Sequence, residues 1–309
     1  MQSLRIFMLT GLIVGLAACG NAPEAPTATD APESPATAPV VDSPEATAPE
    51  TNALTAILAA QPEEVQARYP YRNPQATLEF FEIEPGMTVV EALPGGGWYS
   101  KLLLPYLGSE GQLVGINYAI DLWPNFAFAS EEFLANIVNW PTTWPEGAQE
   151  WRDEGSAGIS ATVFGQVAAE QHGTADAVLF VRALHNMARF DGERAFLAEA
   201  IKDSYDLLKP GGIVGVVQHE AREDMPDAWA NGSAGYLKRS YVIAQMEAQG
   251  FEFVGASEVN QNPADIPTAE DIVWRLPPSL RTDDEQKAAM QAIGESNRMT
   301  LKFKKPSAS

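Results

Sequence analysis

From residue 88 onward, strand-like and helix-like segments alternate along the chain, and this order constrains the fold more than any other feature. TVVEAL at 88–93 and GQLVGINY at 111–118 are short and β-rich, and GWYSKLLLPYLG at 97–108, between them, reads as a helix that ends at Gly108. ADAVLFVRAL at 175–184 contains an unbroken apolar run, as expected for a strand buried on both faces. The alternation therefore predicts one parallel sheet with helices on both faces.

We expect seven strands in this sheet. Three of them are the segments at 88–93, 111–118 and 175–184. The other four are ISATVFG at 159–165, IVGVVQHE at 213–220, FEFVGASEV at 251–259 and RMTLKFKKP at 298–306. The other segments read as helices at 53–70, 73–83, 191–212 and 240–250. The helix at 191–212 is closed by a Lys-Pro-Gly-Gly turn at 209–212, and 119–157 reads as irregular and aromatic.

The N-terminus resembles a bacterial lipoprotein signal. Arg5 precedes an apolar run of about a dozen residues, which is too short to span a membrane. LAAC at 16–19 resembles a lipobox, and Cys19 is the only cysteine of the chain, so no intramolecular disulfide can form. The alternatives are an ordinary signal peptide with a chance cysteine and a wrongly assigned start codon.

The predicted organisation has three parts. Residues 1–19 are a lipoprotein signal peptide, 20–52 a disordered acidic tether rich in Ala, Pro and Thr, and 53–309 the folded domain. The protein would then be a membrane-anchored lipoprotein that faces the periplasm and touches the membrane only through lipid on Cys19. The tether could instead be a proline-rich ligand of a partner protein.

The charge of the chain disfavours nucleic-acid substrates. It carries 41 acidic and 20 basic residues, a formal net charge of −21. Such a surface repels phosphate backbones and gains nothing from counterion release. A small-molecule partner is therefore expected.

VVEALPGGGWYS at 89–100 marks a corner between a strand and a helix. Glu91 ends the strand, and three glycines at 95–97 allow positive φ and close approach of a ligand to the backbone. The dinucleotide fingerprint would require a glycine at Ser100, and bulky Trp98 and Tyr99 occupy the intervening positions. The phosphate-binding Gly-Lys-Ser/Thr sequence is also missing from this corner.

This corner is similar to the first loop of class I S-adenosylmethionine-dependent methyltransferases, especially a bacterial group of predicted methyltransferases with PGGGWY in the loop. The resemblance covers about residues 70–309 and includes LLKPGG at 207–212. It implies a Rossmann-like class I methyltransferase fold, with a seven-stranded, mostly parallel sheet and an antiparallel last strand. It also implies S-adenosyl-L-methionine as cofactor, bound by Glu91, Pro94, Gly95, Gly96, Gly97 and Asn117.

Two positions depart from the family pattern. Leu93 stands where the family's first glycine would be. Asn117 replaces the acid that usually binds the ribose hydroxyls at the end of the second strand, and it lacks charge assistance. Asp121 could substitute for that acid.

Two of the three histidines fall at the ends of predicted neighbouring strands. His185 follows 175–184, with Arg182 and Asn186 near it, and His219 ends 213–220. A neutral imidazole at this edge can take a proton from a methyl acceptor, so His185 and His219 are the candidate catalytic residues. The alternatives are a hydrogen bond to a loop backbone, or a metal site completed by Glu220 or Asp191. His172 reads as a surface loop residue.

Aromatic residues are concentrated in the insertion at 119–157. It contains Phe126, Phe128 and four of the seven tryptophans, at 123, 140, 144 and 151. This insertion is either a lid over cofactor and substrate or a hydrophobic cluster under a long loop, and the second reading is slightly favoured. A second insertion at 262–281 could form a wall of the same cleft.

Three functions remain open from the sequence. The first and preferred one is a methyltransferase that acts on a small-molecule acceptor. The second is a non-catalytic ligand-binding lipoprotein on the same fold, because S-adenosylmethionine is made in the cytoplasm and a lipoprotein's folded domain lies outside it. The third is a metal-assisted hydrolase that uses His185 and His219.

Overall fold

The computed structural model describes residues 52–192 and 194–307. The predicted signal peptide at 1–19, and the predicted tether apart from Asn52, lie outside the described residues. The first helix begins at Ala53, and the Asn52 side chain caps it by accepting a hydrogen bond from the Leu54 amide. Among the described helices, none combines the length and apolar character that crossing a membrane requires.

One twisted sheet organises the described chain. Its strands are β1 Thr88–Ala92, β2 Gln112–Asn117, β3 Gly158–Val163, β4 Ala175–Val181, β5 Leu208–Ala221, β6 Leu237–Lys238, β7 Glu252–Ser257 and β8 Arg298–Lys304. The order is β3-β2-β1-β4-β5-β8-β7, and the two-residue β6 pairs with the end of β5. β1 to β5 are parallel, while β8 is antiparallel to both β5 and β7. The predicted fold class, mostly parallel with an antiparallel last strand, is confirmed.

Eleven α-helices surround this sheet in the described residues. They are α1 Ala53–Ala59, α2 Glu63–Gln66, α3 Tyr69–Arg72, α4 Pro74–Phe80, α5 Ser100–Leu107, α6 Glu131–Ile137, α7 Trp140–Ala148, α8 Leu184–Arg189, α9 Phe196–Leu207, α10 Arg239–Ala248 and α11 Asp284–Ile293. The single helix expected at 53–70 is therefore three short ones, and Pro62 immediately precedes the second of them. Pro74 stands at the first position of α4, where its fixed φ suits a helix start.

Alternating side chains of the strands build a core on each face of the sheet. Val90 of β1 packs with Val178 of β4 and the buried residues of α8, α9 and α10. Val89 packs on the opposite face with Leu179 and the buried leucines of α1, α4 and α5. A strand buried on both sides is continuously apolar, which is why the central strands were predictable from the sequence.

The Lys-Pro-Gly-Gly segment at 209–212 does not form the expected turn ahead of the strand. β5 starts at Leu208, and the register on β4 jumps from the Ala175–Leu208 pair to the Ala177–Ile213 pair. The segment is thus a bulge inside β5, and Gly211 supplies its positive φ of 82°. The same glycine-rich sequence is compatible with a bulge and with a helix-ending turn, because both need a residue with positive φ.

The aromatic insertion is more regular than predicted, and its two halves differ. In the second half, α7 lies against β2 and β3, and the Trp144 ring covers Gly115, where a Cβ would lie 2.6 Å from the ring. Trp140 stacks on Trp144 with 5.2 Å between ring centroids. This half belongs to the core on the Val89 face of the sheet. The first half packs against the core on the opposite face through Leu122 and Trp123, and Phe128 lies at its exposed edge.

Truncating an aromatic residue should affect the free energy of unfolding differently in the two halves. Trp144 is 8% exposed and Phe128 is 65% exposed. Trp144→Ala should therefore lower the free energy of unfolding by about 3–5 kcal/mol, the usual cost of deleting a large buried aromatic ring. Phe128→Ala, the matched control, should change it by less than about 0.5 kcal/mol. Urea unfolding of both variants measures this, and equal losses would contradict the division of the insertion.

Candidate functional site

The predicted site residues lie along one edge of the sheet. β1, β2, β4 and β5 are parallel, so the residues that follow them meet at the same carboxyl edge. Asn117 ends β2, Leu93 follows β1, Arg182 follows β4, and His219 lies near the end of β5. The order along the edge is therefore Asn117, the glycine corner, Arg182 and His219.

The corner after β1 leaves the sheet through alternating left-handed residues. Leu93, Gly95 and Gly97 have φ values of 55°, 55° and 76°. The Leu93 amide still donates to the Ile116 carbonyl at 2.8 Å, which holds the start of the corner against β2. A leucine at positive φ is strained, and such strain is concentrated at functional sites.

The three glycines of the corner have different surroundings. A Cβ on Gly95 would find only the Leu93 carbonyl oxygen, 3.9 Å away, and one on Gly96 would find nothing within 4 Å. A Cβ on Gly97 would lie 2.3 Å from the Trp151 ring. Gly95 and Gly96 therefore leave room for a ligand, whereas Gly97 makes room for Trp151.

Glu91 is buried beneath the corner. The hydroxyl of Ser100, the first residue of α5, donates to Glu91 Oε2 at 2.6 Å. Burial raises the pKa of Glu91 to about 7, and the Ser100 hydrogen bond opposes this shift. The carboxyl group therefore changes charge near neutral pH, and it links the strand end to the following helix.

A cavity of about 420 Å³ opens between the corner and the end of β2. The side towards the sheet is lined by Leu93, Pro94, Gly95 and Asn117, and the apolar walls come from the insertion. These wall residues are Trp123, Phe128, Phe133, Ile137 and Trp140. Mostly apolar walls with a few polar groups and a volume of this size are typical of small-molecule sites. A larger cavity of about 570 Å³ lies among α1 to α4 and contains none of the predicted site residues.

Asn117 and Asp121 do not share this cavity. Asn117 lines it, and its Oδ1 accepts a hydrogen bond from the Tyr118 amide at 2.8 Å. Asp121 lines a neighbouring cavity and forms an ion pair with Arg194. The structure therefore does not bring Asp121 to the position where it would replace the family's acid.

The two candidate catalytic histidines are neighbours. The rings of His185 and His219 are buried with their centroids 5.6 Å apart. His185 Nδ1 lies 3.5 Å from Gln218 Oε1, and His219 Nδ1 lies 2.5 Å from Ser296 Oγ. Burial lowers the pKa of His185 to about 4 and that of His219 well below its usual value, so both rings are neutral at pH 7.

The second insertion and Tyr118 complete this part of the edge. Trp274 of the insertion lies edge-on to His185, with 5.9 Å between ring centroids. The buried Tyr118 hydroxyl donates to the Ala183 carbonyl and accepts from Asn186 Nδ2, both at 3.1 Å. Tyr118 thus joins the ends of β2 and β4. This role of Tyr118 was not predictable from the sequence beyond its position after Asn117.

The acids considered for a metal site have other partners. Glu220 accepts two hydrogen bonds from Arg239, at 2.8 and 3.1 Å, and Asp191 accepts one from the Leu197 amide. No group of three or more His, Cys, Asp or Glu side chains suited to a metal occurs in residues 52–192 and 194–307. His172 is exposed in a loop, as expected.

Comparison with known proteins finds similarity in structure only. No protein-family model and no curated protein matches the chain. Similar solved structures include a SAM-dependent methyltransferase from Aquifex aeolicus, with 12% identity, coverage of 82% of this chain and 100% of that one, and a TM-score of 0.43. An arsenic(III) S-adenosylmethionine methyltransferase from Chlamydomonas reinhardtii has 13% identity, coverage of 83% and 74%, and a TM-score of 0.42.

A third similar structure is the 1,6-didemethyltoxoflavin-N1-methyltransferase from Burkholderia thailandensis, with bound 1,6-didemethyltoxoflavin and S-adenosylhomocysteine. It shares 13% identity, with coverage of 84% of this chain and 93% of that one, and a TM-score of 0.42. Similarity this low carries no argument about activity.

The buried Glu91 predicts a specific pH dependence of stability. In the folded protein its pKa is about 7, against 4.5 for the ordinary carboxyl group, so the folded state keeps a proton that the unfolded chain has lost. This group therefore costs stability as pH rises from about 4.5 to 7. Glu91→Gln removes the cost, and the variant should gain up to roughly 3 kcal/mol on the wild type between pH 4 and pH 8.

Urea unfolding at both pH values measures this difference. Glu110→Gln is the control, because Glu110 is an exposed carboxylate on the same part of the chain. A Glu91→Gln difference that is the same at both pH values would show that Glu91 titrates normally.

Proposed function

We propose that this protein is an S-adenosylmethionine-dependent methyltransferase that acts on a small-molecule acceptor. The observation that carries the proposal is the cavity at the carboxyl edge, where the open backbone at Gly95 faces Asn117. The resemblance of this corner to a bacterial group of predicted methyltransferases with PGGGWY in the loop supports the same assignment.

The residues around the cavity suit a nucleoside-type cofactor. Glu91 fixes the corner, Gly95 and Gly96 offer backbone without side chains beside Pro94, and Gly97 leaves the space that the Trp151 ring fills. We assign Asn117 to the ribose hydroxyls, and Trp123 and Trp140 would exclude water from the cavity. When bound, S-adenosylmethionine would supply an electrophilic methyl group on a positively charged sulfur.

The histidines would serve the acceptor. A neutral imidazole at the end of β4 or β5 can accept the proton that an acceptor oxygen or nitrogen loses as it is methylated. His185 is oriented by Gln218, whose amide nitrogen donates to the Gly235 carbonyl at 3.0 Å and so turns its oxygen to the ring. Most of the rate would come from positioning and exclusion of water.

A non-catalytic binding protein is the second candidate. Leu93 stands where the methyltransferase pattern has its first glycine. The side-chain oxygen of Asn117 accepts a hydrogen bond from the Tyr118 amide, which weakens the expected binding of a ribose. The metal-assisted hydrolase has no comparable support, because Glu220 and Asp191 are used in other contacts.

Binding of S-adenosylhomocysteine tests the methyltransferase assignment. Calorimetry should detect binding to the wild-type protein, and Gly95→Val should abolish it, because the side chain enters the cavity. Gly173→Val is the matched control: Gly173 also has a positive φ and open surroundings, but it precedes β4, at the opposite edge of the sheet. No binding at millimolar ligand, or equal loss in both variants, would refute the assignment.

We also propose that the domain is exported and anchored by lipid on Cys19, with the tether between the two. LAAC at 16–19 supports this proposal. Labelled palmitate should be incorporated into the wild-type protein in a bacterial host, and Cys19→Ala should eliminate both the label and sedimentation with membranes. Label that persists in the variant would refute the anchor.

A further inference from the structure

Four arginines converge beside the candidate site, and three of them share one carboxylate. Arg68 and Arg72 come from the N-terminal helices, Arg182 follows β4, and Arg298 begins β8. We call them, with the buried Glu295, the arginine cluster. Glu295 forms ion pairs with Arg68, Arg72 and Arg298.

The cluster has a surplus of positive charge. In the described residues, Arg182 has no ion pair, and its buried Nε has no hydrogen-bond partner. Arg72 Nε is also buried without a hydrogen bond, although it lies 3.5 Å from Glu295 Oε1. By contrast, Arg298 donates to the Ser296 carbonyl at 3.2 Å as well as pairing with Glu295. The unsatisfied donors of the cluster are therefore the Nε atoms of Arg72 and Arg182, although the Arg72 guanidinium also lies 4.4 Å from the centroid of the Trp98 ring.

Leaving the charge of Arg182 without a counterion is costly. Burial lowers the pKa of Arg72 to about 9 and that of Arg182 to about 10, and neighbouring arginines lower both further. Buried charges in proteins are normally paired with a counterion or bind a ligand. The contrast with the net charge of −21 makes a chance accumulation of arginines here difficult to explain.

The cluster lies on the acceptor side of the site. Arg298 pairs with His219 in the β5–β8 register, and Arg182 precedes His185 by three residues. The Asn117 cavity lies on the other side of the corner, towards β2. A nucleoside bound in that cavity would thus have the histidines and Arg182 beyond its reactive end.

We propose that the arginine cluster binds an anionic group, a carboxylate or a phosphate, of the small molecule that is methylated, with Arg182 and Arg72 as its donors. That the bound molecule is methylated rests on the proposed function. That the cluster binds an anion rests on the arginine cluster alone. Guanidinium groups bind carboxylates and phosphates through two parallel N–H donors. The Nε–H of Arg182, which has no partner, can be one of these two donors.

Binding of inorganic phosphate to the full-length protein tests the anion site. Calorimetry at constant ionic strength should detect phosphate binding with and without S-adenosylhomocysteine. Arg182→Gln should weaken it about tenfold or more, the effect of losing one charge-assisted hydrogen bond. Arg281→Gln, which changes an exposed arginine, should leave it unchanged. Arg182→Lys keeps the charge and should lose less than the glutamine variant.

A second readout locates the phosphate. Its binding should shift the imidazole NMR signals of His185 and His219, which border the cluster, and leave exposed His172 unchanged. Near-ultraviolet circular dichroism shows whether Arg182→Gln keeps the native packing. If it does not, the comparison rests on Arg182→Lys and on the histidine signals of the wild type.

The other source of a carboxylate is the cofactor itself, and 5′-methylthioadenosine, which lacks the amino-acid part, separates the two. If Arg182→Gln weakens S-adenosylhomocysteine but not 5′-methylthioadenosine, the arginine holds the cofactor and the proposal is wrong. It is also wrong if phosphate does not bind, or if Arg182→Gln and Arg281→Gln lose binding equally. If phosphate binding depends on Arg182 but the protein does not bind S-adenosylhomocysteine, the anion site is supported and the methyltransferase assignment is refuted.

Discussion

β4 pairs in parallel with β1 on one side and β5 on the other, and the candidate site depends on this double pairing. Val178 lies opposite both Val90 and Val214, and its neighbour Leu179 faces the other side of the sheet. A slip of one residue would exchange the two faces, so the apolar pattern fixes the register strongly. With that register fixed, the residues after β1, β4 and β5 lie next to each other at one edge.

The same backbone device ends both central strands. Leu93 after β1 and Arg182 after β4 are non-glycine residues at positive φ, 55° and 59°. Each amide nevertheless donates to the neighbouring strand, Leu93 to Ile116 and Arg182 to the Val217 carbonyl. The chain therefore turns out of the sheet while it is still held in the ladder, which fixes the direction of the next residues. Strain of this kind persists only where surrounding contacts enforce it.

The sequence predicted the parts of this structure that depend on local patterns. Continuous apolar runs identified the central strands, and the order of segments placed Asn117, the corner and the histidines at one edge. The insertion was mispredicted because α7 contains Pro141 and Pro145 and is stabilised by Trp144 on Gly115, a contact with β2. The arginine cluster was not predictable, since Arg68 and Glu295 are 227 residues apart and no spacing rule connects them. The roles of the site residues stay predictions.

The arginine cluster and the histidines are linked electrostatically. Burial is the main cause of the low pKa of His185, and the positive charge of Arg182 adds to it. Burial is also the main cause of the low pKa of His219, and the positive charges of Arg182 and Arg298 add to it. Neutral rings with such low pKa values are weak bases, because their protonated forms lose a proton readily. An anion held by Arg182 and Arg72 would cancel part of the positive potential and raise the pKa of both rings. A substrate that carries its own anionic group would therefore strengthen the base that deprotonates it, and a neutral analogue of the same shape would not.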